Sequence, residues 1–424
     1  MTMPWPYLMS RLLGLLSLAI LATGLWFVVD WMTTDFRGGL WLVLGAVLLA
    51  AAVFGRELVL MGLRRERPRP ASRPASRETL IGSGGSRLYV ESYGPKGADP
   101  IVLTCGWGFN RSLWAGMVAA LENDYRVVVW EPPGIGRSSR PFDNVYTAER
   151  FAGDLGAVIA ALADGRAALV VGHGLGALAV FELFRGGSPK GVAGAALLNA
   201  AAESPLDSAD EAKLLRRLRW PLLEPLLKLG MWLSPLVRLG AWASYLNGTA
   251  QLAARVAFGL DPSREAVDRA AFVASVQSPC VQARALEAAL TRVQNPAAVS
   301  TPLLVVAGGR DALVVPDACR RTAEAAPEGS FVLVEEAGHA GPLEAPAAYA
   351  RAVADHARKA FGRSAVIRAH AETLRVRAKS FAPPAEPESW GASPERDGRS
   401  PERPEADERG RGAEGGLSAA PRLH

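Results

Sequence analysis

Val171-Gly172-His173-Gly174-Leu175-Gly176 decides how this chain is read. An apolar run, Ala167–Gly172, leads into glycines at every second position, and a helical stretch, Leu175–Phe184, starts at once. Glycine takes up backbone conformations that a Cβ would penalise, so the segment predicts a sharp strand-to-helix turn. The same rhythm continues on both sides. Apolar runs at Arg87–Tyr93, Pro100–Cys105, Tyr125–Trp130, Val192–Leu198, Pro302–Ala307 and Phe331–Glu335 predict strands, with Glu78–Ile81 as an opening partner. Helical stretches fall between them at Thr147–Leu162, Asp317–Ala326 and Ala345–Ala360. Strands that are apolar throughout, alternating with helices, indicate an α/β domain over 78–361: a mostly parallel sheet with helices on both faces. Gly-Ser-Gly-Gly-Ser at 82–86 lacks the Gly-Lys-Ser/Thr ending of a phosphate loop and reads as a hairpin turn.

The rhythm breaks at about 201–295, a helical, strand-free insertion expected to cap the carboxyl ends of the strands, where open α/β sheets bind ligands. Its stretch Trp220–Leu233 is apolar but broken by prolines and charges, which argues for a lid against a third span. After 361 the composition turns to Ala, Pro, Glu, Arg, Ser and Gly, and 362–424 reads as a disordered polar tail, with a helical start around Ala365–Lys379. At the other end, residues 12–29 and 38–55 carry no charge, and each is about 18 residues, enough to cross a hydrocarbon core. Trp5, Tyr7, Trp26, Trp31 and Trp41 stand near their ends, where amphipathic rings favour headgroups. Residues 1–63 therefore read as a transmembrane hairpin. A cleaved signal peptide is the weaker reading, because the first run has only Arg11 as basic flank and a second span follows. The linker 64–77 carries Arg64, Arg65, Arg67, Arg69, Arg73 and Arg77. The positive-inside bias then puts both termini and the α/β domain in the cytoplasm, anchored to the cell membrane by two spans.

Composition narrows the chemistry. With 49% apolar and 21% charged residues the 424-residue chain is not globally disordered, and three cysteines without a C-x-x-C pair exclude a disulfide framework or cysteine-rich zinc module. The net charge of +5 resides largely in arginines beside the hairpin and in the tail, not interleaved with aromatics, so no nucleic-acid partner is expected. Neither a metal nor an organic cofactor is expected, since no ligand cluster or nucleotide fingerprint occurs.

Four segments stand in the order that acyl-transfer chemistry needs: Leu103–Asn110, Val171–Gly176, Ala307–Asp311 and Ala337–Gly341. Together with Glu131-Pro132-Pro133-Gly134-Ile135-Gly136-Arg137-Ser138-Ser139, they make residues 78–361 resemble the α/β-hydrolase superfamily. The resemblance implies a nucleophile elbow G-x-S-x-G, which here reads Gly172-His173-Gly174-Leu175-Gly176, with Gly174 where the serine belongs. It also implies Asp311 as the acid, His339 as the general base, and the N–H groups of Trp107 and Leu175 as the oxyanion hole. Ordinary serine-hydrolase turnover is not expected without a side chain at 174. Two substitutes are conceivable: a water deprotonated by His339, or the thiolate of Cys105, which replaces the histidine common in that loop. The bland readings stand beside these. Cys105 is a buried strand-end residue, His173 a packed residue under the elbow, Cys280 and Cys319 structural, and His339–Asp311 a buried polar pair. Two functions follow: a membrane-anchored hydrolase for a small apolar ester-like or amide-like substrate, or a pseudoenzyme that binds a ligand or partner.

Overall fold

The apolar runs assemble into one eight-stranded sheet in the order β1-β2-β4-β3-β5-β6-β7-β8. Its strands are β1 Ser76–Ile81, β2 Arg87–Tyr93, β3 Pro100–Thr104, β4 Arg126–Trp130, β5 Ala168–His173, β6 Val192–Leu198, β7 Leu303–Gly308 and β8 Gly329–Val334. The computed structural model describes residues 4–34, 38–65, 72–106, 108–203, 224–290 and 294–380. β1 and β2 form the antiparallel hairpin predicted around Gly82–Ser86, β2 pairs antiparallel with β4, and every other pairing is parallel. Residues up to Glu372 make one compact unit; a second begins at Thr373, of which the described part is the end of the last helix.

Both faces of the sheet are covered. Successive side chains of a strand point to opposite faces, so Ile101 and Leu103 join one core with Trp114, Met117, Tyr349 and Val353, while Val102 joins the other with Leu155, Val158, Phe181 and Phe184. Each fully buried leucine, valine or phenylalanine contributes about 1.5–3 kcal/mol. In chain order the described α-helices are α1 Pro4–Thr33, α2 Gly39–Met61, α3 Ala115–Leu121, α4 Ala148–Leu162, α5 Ala177–Leu183, α6 Glu224–Trp232, α7 Ser234–Leu246, α8 Thr249–Arg255, α9 Arg264–Val276, α10 Pro279–Leu290, α11 Pro316–Glu324, α12 Gly341–Glu344 and α13 Pro346–Ser380. In α4 the buried Leu155, Val158, Ile159 and Leu162 recur at helical spacing, and the Thr147 side chain caps the helix by accepting from the Arg150 N–H.

The described part of the insertion consists of the helices α6 to α10, without a strand. Most of the apolar stretch Trp220–Leu233 is outside or only partly within the described residues, as are Arg67 and Arg69 of the linker and all of 381–424.

Two features add to the sequence reading. The last helix runs from Pro346 without a break through the stretch expected to be helical, to Ser380. Beyond Gly362 that stretch is rich in Ala and Arg and has no proline or glycine, so intrinsic propensity carries the helix past the last core residue. The hairpin, in turn, is not a separate appendage. α1 and α2 pack together where Gly24 meets Leu48 and Leu49, and a methyl on Gly45 would stand 2.8 Å from Val28. Beyond this they pack on the insertion. A methyl on Gly240 of α7 would come 2.9 Å from backbone atoms of Gly14 in α1, and one on Gly55 of α2 would come 2.4 Å from the Asn247 carbonyl. Arg56 makes a two-pronged ion pair with Asp268 at 2.6 and 2.8 Å, and Ser17 shares a hydrogen bond with Thr249 at 3.0 Å. Hydropathy shows a run's length, not which glycines permit backbones to touch.

Candidate active site

The elbow follows from crowding. A Cβ on Gly172 would lie 2.8 Å from Ala177, and one on Gly176 would lie 2.6 Å from the Thr104 carbonyl, so neither position admits a side chain. β5 and the turn after it are therefore drawn against β3, where Thr104 pairs with Gly172. Gly174 has φ +52°, the left-handed region that costs a residue with a Cβ about 1–3 kcal/mol. A Cβ there would stand 3.2 Å from His339 Nε2.

The carboxyl ends of β7 and β8 deliver the other two groups to this spot. His339 Nδ1 is 2.9 Å from Asp311 Oδ2, and both side chains are almost entirely buried. Asp311 Oδ1 accepts from the N–H groups of Leu313 and Val314 at 2.8 and 2.9 Å, and Oδ2 also accepts from Asn199 Nδ2 at 3.0 Å. Burial pulls the Asp311 carboxyl upwards, but the imidazole and these donors outweigh it and hold the group below the usual carboxylate range. A carboxylate on Nδ1 fixes the tautomer: Nδ1 carries the proton and Nε2 presents a lone pair towards Gly174.

His173 plays another part. It is fully buried beneath the elbow, and its Nε2–H donates to the His339 carbonyl at 2.8 Å. Burial first, then the neighbouring imidazole, pushes its pKa down to about 3, so it stays neutral. Leu175 opens the helical turn after the elbow, and its N–H is among those at a helix start without an intrahelical acceptor. Trp107 lies outside the described residues. Its neighbour Phe109 packs edge-on against His173, and Gln277 Nε2 donates to the Phe109 carbonyl at 2.8 Å.

Cys105 does not serve as a substitute nucleophile. It is 1% exposed, and burial, reinforced by the charge of Glu131, drives its thiol far above the ordinary range. A thiol held in that state offers no thiolate. Cys319 is likewise buried and donates to the Ala200 carbonyl, and Cys280 is half-buried. Among the described residues no three His, Cys, Asp or Glu side chains are grouped to hold a metal.

Three partners escaped the motif reading. Asn199, at φ +51°, bridges Asp311 and the Gly338 carbonyl while accepting from the Tyr349 hydroxyl at 2.7 Å. Glu344 accepts from the N–H groups of Gly338 and Gly259, tying the His339 loop to the insertion. The only signal for Asn199 was an amide directly after a strand, where asparagine tolerates positive φ. His339 also lines a partly open cavity whose walls include Phe109, Leu313, small residues of α7 to α9, and Ser10 and Arg11 of α1.

The fold has a counterpart in known proteins: residues 101–352 match the alpha/beta hydrolase family. The chain belongs to that family. Solved structures with the family's fold include the enol-lactonase of Burkholderia xenovorans, at TM-score 0.53 and 22% identity, covering 66% of this chain and 99% of that one. An esterase of Thermogutta terrifontis aligns at TM-score 0.52 and 22% identity over 68% of this chain and 100% of its own. At such identities the likeness establishes the fold alone. Closer in sequence, but over short stretches, are a probable oxidoreductase, EphD, of Mycobacterium tuberculosis, 36% identical over 118 residues, and a non-heme chloroperoxidase of Streptomyces lividans, 31% identical over 123. The matched stretches are 27% and 29% of this chain and span only 20% and 44% of those relatives.

Proposed function

We propose that this protein is a membrane-anchored hydrolase of the alpha/beta hydrolase family, whose pocket takes an apolar ester-like or amide-like molecule and whose attacking group is water. One observation carries the reading. The His339–Asp311 pair is complete and aimed, with Nε2 3.2 Å from where a Cβ of residue 174 would stand, while glycine leaves that space without a hydroxymethyl group. A water there at hydrogen-bonding distance from Nε2 would give up its proton as it attacks the carbonyl carbon. The tetrahedral oxyanion would lie against the Leu175 N–H, and His339 would then return the proton to the leaving alcohol or amine. No acyl-enzyme forms on this route.

Two helices, Met9–Thr33 and Gly39–Met61, are long and apolar enough to cross a membrane, which supports the anchor. The outward-facing Leu16, Leu25, Trp26, Val47 and Phe54 support it further. Arginines following α2 favour a cytoplasmic α/β domain at the cell membrane.

The second reading, a binding protein without turnover, is favoured by Gly174 itself. The full chain in neutral detergent separates the two with aryl esters of increasing acyl length. Slow hydrolysis by the parent that disappears in His339→Ala supports the water route; equal rates in both favour the binding protein. Gly174→Ser is expected to raise hydrolysis about a hundredfold or more and to become labelled by a fluorophosphonate, because a hydroxyl then stands beside a finished base. Fluorophosphonate labelling of the parent would overturn the assignment of Gly174 as a vacant nucleophile position.

A further inference from the structure

We infer that α7 and α8 of the insertion lie in the bilayer beside the hairpin, with a strip of apolar side chains sunk into one leaflet, the one that holds the N-terminal end of α1 and the C-terminal end of α2. The inference rests on the reading of α1 and α2 as membrane spans. It goes beyond that reading by extending the lipid contact to the helices that wall the cavity beside His339.

The strip is set by helical spacing. Leu236, Leu239, Trp242 and Leu246 of α7 recur every three or four residues, and all are exposed among the described residues. Gly240, Ala243 and Ser244 form the neighbouring face and are buried. Leu252 of α8 and Val256 just after it are four apart and exposed as well. Phe272 of α9 joins the strip, its ring centre 6.2 Å from that of Trp242. A continuous apolar surface on helices packed along their other face marks a contact with protein or lipid.

Depth favours lipid. α7 meets α1 where Gly240 stands against Gly14, and it meets α2 where the Asn247 carbonyl closes on Gly55. Gly14 is five residues inside Met9 and Gly55 six inside Met61, the outer ends of the two apolar helices. At about 1.5 Å per residue both contacts lie about 8–9 Å inside those ends. Amphipathic helices in the plane of a membrane sit at that level, about 5–10 Å into the boundary of headgroups and acyl chains. Leu12, Leu15 and Leu16, within a turn of Gly14, are exposed in the same way as Leu236 and Leu239 beside Gly240. A bilayer that covers the first set extends over the second. The polar groups at this seam are satisfied internally: Asp268 accepts from Arg56 and, at 3.0 Å, from Gln251 Nε2, and Ser17 pairs with Thr249. Ala241, Ala250 and Ala253 of the same two helices wall the cavity beside His339, so that wall stands at the level of the leaflet.

The test reads depth, in the full chain reconstituted into phosphatidylcholine vesicles. Single cysteines are placed in a Cys280→Ser background, since Cys105 and Cys319 are buried, and labelled with an environment-sensitive NBD fluorophore. Leu239→Cys and Leu252→Cys sample the strip, and Leu21→Cys samples the middle of α1. Glu324→Cys, at the end of α11 and the amino-terminal end of the sheet, is the control. The vesicles carry a phosphatidylcholine with a nitroxide either near the headgroup or near the chain end, and thermal unfolding confirms that each labelled chain is folded. Both strip positions should emit to the blue of the control and be quenched more by the shallow nitroxide, whereas Leu21→Cys should be quenched more by the deep one. Quenching at Leu21→Cys with water-like emission at either strip position overturns the inference and leaves the spans standing. Blue emission at the strip without quenching by lipid overturns it too, because a second copy or residues 204–223 then cover the helices. If Leu21→Cys itself is not quenched, the spans fall and the inference falls with them.

Discussion

At residue 174 the missing atom is an oxygen, yet the groups that would serve it are in place. Asp311 accepts four hydrogen bonds, from Leu313, Val314, Asn199 and His339. Removing a partner from such a buried set leaves groups unsatisfied at about 1–3 kcal/mol each. His173 adds a pH dependence with a definite sign. Its folded pKa, about 3, lies below the unfolded value of about 6.5, so between these values the unfolded chain binds the extra proton. Stability from its neutral burial is whole above pH 6.5 and drains as pH falls towards 3, by up to about 1.4 kcal/mol per pH unit. The depressed Asp311 acts only below about pH 4, at the foot of this window, whereas His356, also pushed down by burial, acts higher within it. Denaturant unfolding of parent and His173→Gln at pH 7, 6 and 5 isolates the contribution: the variant should lose markedly less stability on acidification. Parallel pH profiles would show that His173 takes up its proton in the folded state.

Among the elements, glycines decide which helices meet. Three identical substitutions should have different signs according to what surrounds them. Gly230, in α6, has open space where a Cβ would go, so Gly230→Ala should stabilise by about 0.5–1 kcal/mol through helix propensity alone. Gly240→Ala and Gly55→Ala each push a methyl into backbone, at 2.9 and 2.4 Å, and should destabilise by about 1–3 kcal/mol as the hairpin is wedged off the insertion. Thermal unfolding in detergent compares the three. If all of them stabilise, the hairpin and insertion are not in the contact described. The predicted strands and helices were legible because apolar periodicity is a local property. The contact between α1 and α7 was not, since a glycine in an apolar run looks the same whether it faces lipid or another backbone.

For the molecule as a whole, the apolar helix pair and the pocket are packed together. α1 and α2 cover the glycine face of α7, and Ser10 and Arg11 close part of the cavity. A chain without residues 1–63 should therefore lose more than the proposed membrane attachment. It is expected to self-associate and to melt several degrees lower than the full chain, measured by size-exclusion and thermal unfolding. A truncated chain that stays monodisperse with an unchanged melting temperature would show that the α/β domain and insertion need no hairpin. Removal of residues 1–63 would uncover the buried face of α7 at Gly240, Ala243 and Ser244, next to the already exposed Leu236, Leu239 and Trp242, which is the physical reason to expect association.

The fold, the elbow and the order of acid and base were determined by the sequence alone, because strand periodicity, glycine spacing and loop position are written along the chain. So was the absence of an oxygen at Gly174. Which partners surround those groups was decided only in three dimensions. Asn199 reaches Asp311 from 112 residues away, Tyr349 reaches Asn199 across 150, and Arg11 reaches Gln282 across 271. A thiol at Cys105 is chemically able to attack until packing buries it. Close packing brings such residues together, and no local rule of sequence encodes it.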